Sequence, residues 1–103
     1  MINPTLKTAL FVRLQARSGK ENEVAEFLET GLVLASQEAT TPVWFALRLG
    51  PLTFGVFDAF TDEGGRQLHL NGPIAQALMA KAHELLAEPP AIEHIDVLGA
   101  KLP

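Results

Sequence analysis

The sequence predicts an α+β fold in which helices cover one face of a four-stranded antiparallel sheet. Three observations point to it: four stretches alternate in hydrophobicity with period two, helical periodicity fills the gaps after the first and third of them, and a Gly-Pro turn joins the middle pair. With 103 residues, the chain has room for a single domain over residues 1–103.

Thr8 to Ala16 predicts the first strand, with Leu10, Val12, Leu14 and Ala16 on one face and Phe11, Arg13 and Gln15 on the other. Ser18 and Glu21 have capping-box spacing, in which a hydroxyl and a carboxylate each satisfy a free amide, so a helix is expected to open there. Val24, Phe27, Leu28, Gly31, Leu32 and Ala35 recur on one side of that helix, and Glu23, Glu26 and Glu29 lie on the other. Gly31 on the apolar stripe reads as room for a close neighbour. Thr40, Thr41 and Pro42 interrupt the helix, and Val43 to Leu49 alternates again, with Val43, Phe45, Leu47 and Leu49 opposed to Trp44, Ala46 and Arg48. After Gly50 and Pro51, Leu52 to Phe60 runs back as the other arm of an antiparallel hairpin. Thr61 or Asp62 is placed to cap a short helix through Asn71, with Gly72 to end it and Pro73 to open the next. Ile74, Ala77, Leu78, Ala82 and Leu85 form the apolar stripe of this last helix. Glu88, Pro89 and Pro90 stop it, and Ile92 to Leu102 is expected as a final strand at an edge or a subunit contact.

This order is the ferredoxin-like β-α-β-β-α-β arrangement. Each helix has one apolar stripe, so both must lie on the same sheet face. The opposite face then carries aromatic residues beside Arg and Gln, too apolar to stay bare over a whole sheet. A second copy of so short a chain would bury it, and a homodimer is expected.

Composition removes many kinds of chemistry. Without cysteine there are no disulfides, thiolate metal sites or thiol nucleophiles, and a reducing compartment, the cytoplasm, is expected. Eight basic against twelve acidic residues leave a net charge of −4, and the basic ones are scattered, so nucleic acid is not an expected partner. Charged residues and glycines break the apolar runs short of membrane-spanning length, so no membrane association is expected, and Met1 to Lys7 has no export-signal pattern. Neither serine lies in G-x-S-x-G, and no glycine-rich nucleotide loop occurs. His94 and Asp96 would share a strand face, a thin beginning for a metal site, and the plainer reading is two solvent-facing residues. His83 falls off its helix's apolar stripe, and no metal is expected.

His69 stands apart, because it follows Arg66 by three residues and so shares its helix face. Facing a cleft, it would move a proton or bind a substrate oxygen, with Arg66 supporting negative charge. The bland reading is a buried histidine bonded to a nearby carbonyl. Trp44, Phe45, Phe54, Phe57 and Phe60 are core residues by default, though one or two would suit an apolar pocket wall.

The stretch from Phe57 to Pro73, FDAFTDEGGRQLHLNGP, taken with the opening strand and Ser18 to Glu21, resembles the antibiotic biosynthesis monooxygenase family over almost the whole chain. In that family an aromatic strand end and acidic turn precede a short "aHl"-like helix segment, matched by Gln67 to Leu70, and a break matched by Asn71 to Pro73. The resemblance implies a dimeric α/β barrel of two ferredoxin-like units, each with a cleft between sheet and helices. It also implies oxidation of quinols or polycyclic aromatics by molecular oxygen, in several relatives without a cofactor. No cofactor is expected here. On that reading His69 is the catalytic base, and Arg66, Phe60, Val12, Phe27 and Leu78 contact a small quinol or aromatic substrate. Haem-degrading members use an Asn, a Trp and an iron-binding His at positions matched by Val12, His69 and Met79, which disfavours haem. The tyrosine of some polyketide-oxidising members has no counterpart, because the chain has no tyrosine. Two other readings stand beside the monooxygenase: a non-catalytic dimer that binds a small apolar metabolite, and an oxygen-independent proton-transfer enzyme.

Overall fold

The computed structural model describes residues 6–103. Its elements follow the expected order: β1 (Thr8–Gln15), α1 (Glu21–Ala35), β2 (Val43–Arg48), β3 (Thr53–Phe60), α2 (Glu63–Leu70), α3 (Pro73–Leu85) and β4 (Ala91–Asp96). The strands form one antiparallel sheet in the order β2-β3-β1-β4, the ferredoxin-like α+β arrangement. Asp62 caps α2 by accepting a 2.8 Å bond from the amide of Gly65, and Pro73 opens α3.

Register assigns every strand residue to a face. Leu10, Val12 and Leu14 of β1 stand beside Asp58, Val56 and Phe54 of β3, and Trp44 and Ala46 of β2 lie opposite Asp58 and Val56. This face carries the main core, where Leu14, Phe54 and Val56 meet Val24 and Leu28 of α1 and Leu85 of α3. Burying each of the larger aliphatic side chains contributes about 1.5–3 kcal/mol. Trp44 packs against α1 at Gly31, where an added Cβ would stand 3.4 Å from the indole. The stripe of α1 is narrower than expected: Val24, Leu28, Gly31 and Ala35 are buried, but Leu32, a further 100° round the helix from Gly31, is 53% exposed.

Two terminal details differ from the sequence reading. The capping box does not form: Gly19 adopts φ +87° in a tight turn, and the amide of Lys20 donates to the carbonyl of Arg17 at 2.9 Å. Lys20 becomes the N-cap residue with no side-chain cap, and Glu21 and Glu23 face the positive end of the helix dipole instead. The last strand stops at Asp96 rather than reaching Leu102: its ladder with β1 runs out at the Thr8–Asp96 pair, and the amide of Val97 adds one further bond, to the carbonyl of Lys7 at 2.9 Å. Beyond that point Val97, Ala100 and Leu102 pack on the outer sheet face around Leu6, Ala9 and Ala59. The chain itself thus covers part of the face that a second copy was expected to bury. Towards β2 that face stays open, with Phe45 half exposed and stacked on Phe57 at 6.4 Å between ring centroids.

The turn before α1 separates the two accounts of its start. Ser18→Ala should change stability by less than about 0.5 kcal/mol, whereas loss of a real cap costs about 1 kcal/mol. Gly19→Ala should cost about 1–2 kcal/mol through its positive φ. Urea denaturation of both variants measures this, and the reverse ranking would restore the capping box.

Candidate functional site

β3 reads Thr-Phe-Gly-Val-Phe-Asp-Ala-Phe, and its helix-facing side chains are Phe54, Val56, Asp58 and Phe60. One carboxylate therefore lies among apolar neighbours on a central strand, and Asp58 is 1% exposed. Above it, α2 turns both Arg66 and His69 into the interior. Their polar ends have different partners. Arg66 donates to the carbonyls of Ala9 (3.2 Å) and Ile95 (3.4 Å), and its guanidinium is paired with the carboxylate of Glu63. The hydrogen bond from Arg66 holds the Glu63 carboxyl at about 2, well below the usual range. Arg66 thus ties α2 to β1 and β4.

His69 lies between two carboxylates. Its Nδ1 is 2.8 Å from Oε1 of Glu38, in the segment after α1, and its Nε2 is 2.9 Å from Oδ2 of Asp58. Thr41 donates its hydroxyl proton to the same Glu38 oxygen at 2.9 Å. The Asp58 contact is short but poorly directed, and neither Asp58 oxygen receives a well-aligned hydrogen bond among the described residues. Burial raises the pKa of Asp58, with partial relief from His69. For His69, burial alone favours the neutral ring, but the bonds to Asp58 and Glu38 outweigh it and raise the pKa. One proton is therefore shared: it resides on the imidazole beside an ionised Asp58, or on Asp58 beside a neutral imidazole that still donates to Glu38. With Glu38 ionised, both forms carry a net charge of −1.

Asp58 and His69 form the polar end of a cavity of about 120 Å³. Its walls are apolar: Leu10, Val12 and Val56 from the sheet, Ile74 and Leu78 from α3, and Ile92 from β4. Trp44 and Met79 also line it, and the indole nitrogen of Trp44 is buried without a partner among the described residues. Of the residues expected at a site, His69, Val12 and Leu78 meet here. The others lie elsewhere: Arg66 is occupied as described, Phe60 is fully buried with its ring 5.5 Å from that of His69, and Phe27 lines a separate groove between α1 and α3. Sequence reasoning missed Asp58 and Glu38. The alternation in β3 already put Asp58 on the apolar side, but Glu38, in a connecting segment, carries no such signal. His83 is exposed, and no three His, Asp or Glu side chains among the described residues gather to hold a metal ion. No helix among them is long and apolar enough to cross a membrane.

Over 98% of each chain, the fold matches that of NE2512, a protein of unknown function from Nitrosomonas europaea, with a TM-score of 0.96 and 58% sequence identity. The chain belongs to the same family as NE2512. A "putative antibiotic biosynthesis monooxygenase" from the same organism matches with a TM-score of 0.80 at 14% identity, over 89% of this chain and 90% of that one. Another so described, from Chloroflexus aurantiacus, gives 0.72 at 15% identity, over 92% and 96%. At those identities the likeness is one of fold, and the chain has the antibiotic biosynthesis monooxygenase-like fold. No family model and no curated protein matches the sequence. Val12, His69 and Met79 all line the cavity beside Asp58.

The raised pKa values of His69 and Asp58 mean that the folded protein binds their protons more tightly than the unfolded chain, so stability from this pair falls as pH rises. The advantage of the native protein over the double variant Asp58→Asn/His69→Gln, which removes both titrating groups, should be larger below about pH 6.5, the ordinary imidazole value, than above it. It should decline as pH rises through the higher folded value. Urea unfolding of both proteins from about pH 5 to pH 9 tests this, and an advantage that grows with pH would refute the assignment.

Proposed function

We propose that the chain is a cofactor-independent monooxygenase that oxidises a small quinol with molecular oxygen, working as a homodimer. The observation that carries this reading is the buried Asp58–His69 pair, backed by Glu38, at the polar end of an apolar cavity. Deprotonating a quinol makes it a far better electron donor, and an apolar pocket keeps water from the reactive anion. Because His69 is flanked by carboxylates and favours its protonated form, the pair takes the proton through Asp58, and the imidazole passes charge on towards Glu38.

The reaction needs no further reductant. A quinol and one O2 give a hydroxylated quinone and one water: one oxygen atom bonds to the ring and the other leaves as water. The quinol supplies all four electrons. The cavity, about 120 Å³, is of the order of a dry cavity of about 150 Å³ that holds benzene, which favours a single-ring substrate. The homodimer is supported by the open apolar part of the outer face, where Phe45 and Leu49 are exposed.

With a one-ring quinol, the native protein should consume oxygen and form a hydroxylated quinone, and His69→Ala should slow this by about 10²–10⁴-fold. An oxygen electrode with product mass measurement tests it. No uptake across a quinol panel would overturn the proposal, and turnover persisting without oxygen would favour the proton-transfer enzyme. Separately, Phe45→Glu should convert a dimer into a monomer in sedimentation at micromolar concentration. A native protein that already sediments as a monomer would remove the homodimer.

A further inference from the structure

We infer that the cavity selects neutral single-ring compounds bearing a hydroxyl, that the hydroxyl donates to the carboxylate of Asp58, and that anionic rings are excluded. This rests on the reading of the cavity as a substrate site, and it concerns recognition rather than the oxygen reaction.

The first support is an unmet hydrogen-bonding need. Asp58 lines the cavity, is almost fully buried, and has two oxygens without a directed donor among the described residues. A ligand hydroxyl is the kind of donor such a group lacks, and a bond to a buried charged acceptor is stronger than one between neutral groups. The same hydroxyl, or a second ligand oxygen, keeps lone pairs that suit the unpartnered indole N–H of Trp44, which lines the same cavity and is the register partner of Asp58.

Charge is the second support. Glu38, His69 and Asp58 together hold a net negative charge, and no Lys or Arg lines this cavity. The one nearby cation on α2, Arg66, is committed to Glu63 and two backbone carbonyls. A carboxylate or phenolate entering from water would add a negative charge to an apolar enclosure lined by no Lys or Arg, whereas a neutral hydroxyl that passes its proton to Asp58 leaves the total charge unchanged. The walls of Leu10, Val12, Val56 and Leu78 supply apolar contact for one ring.

The test is equilibrium binding of the native protein without oxygen, at about pH 7, where phenol is neutral and benzoate is ionised. The chain has one tryptophan, so its indole N–H gives a single NMR resonance that reports on this cavity. Phenol should shift that resonance and bind about tenfold or more tighter than toluene, its apolar counterpart, and benzoate should leave it unmoved. Asp58→Leu should erase the preference for phenol over toluene. Asp58→Asn, which keeps an acceptor and loses the charge, should retain part of it and relax the exclusion of benzoate. Toluene binding as well as phenol, benzoate binding as tightly as phenol, or no ring binding at all would each overturn the inference. Phenol selectivity without oxygen uptake from any quinol would instead remove the monooxygenase reading and leave this one standing.

Discussion

An ionised carboxylate without a partner costs several kcal/mol to bury, even after the protein relaxes around it. Asp58 occupies that position on a central strand, with helices packed above it. His69 of α2 answers it directly, and Glu38 answers His69 from the segment joining α1 to β2. A single proton shared along this line joins the middle of the sheet to α2 and to the end of α1. Replacing Asp58 by a valine would pack more simply and leave α2 without its anchor on β3. Retaining such a group is understandable where the shared proton is used.

The same line explains the form of the cavity. His69 lies over Asp58 at one end, while α3 approaches the sheet through Ile74 and Leu78 on the other side. Glycine at position 31 lets the indole of Trp44 lie close under α1 and still reach the cavity wall. Apolar walls and a charged end thus come from separate elements, brought together by the strand register and not by any local motif.

Periodicity was enough to read the elements and their order, because each helix has a single apolar stripe and each strand alternates between two faces. Leu10, Val12 and Leu14, and later Ile74 and Leu85, follow their stripes as expected. The failures have local physical causes. Ser18 and Glu21 match a motif by spacing, but Gly19 turns the chain before the hydroxyl can serve the helix. Val97 to Leu102 alternates like a strand, yet the regular ladder with β1 ends at the Thr8–Asp96 pair, and pairing is a property of two chain segments. At the site, His69 was legible from its shared face with Arg66, while the divergence of the two side chains was not, since it depends on which strand each one meets. Asp58 was visible in principle as a charge at an apolar register position. Glu38 was not, because a connecting segment has no period to break.

The grip of α2 on the sheet bears on how a molecule gets in and out. Arg66 fastens the helix to carbonyls of β1 and β4, and His69 fastens it to β3, so α2 cannot slide or tilt without releasing both charged contacts at once. The boundary formed by Met79 of α3 with Pro90 and Ile92 has no comparable fastening: Met79 and Ile92 are substantially exposed, and their contacts are apolar and readily re-formed. The α3–β4 seam is therefore the loosely held side of the cavity, closed by exposed apolar side chains, and the histidine end is the side held by charge.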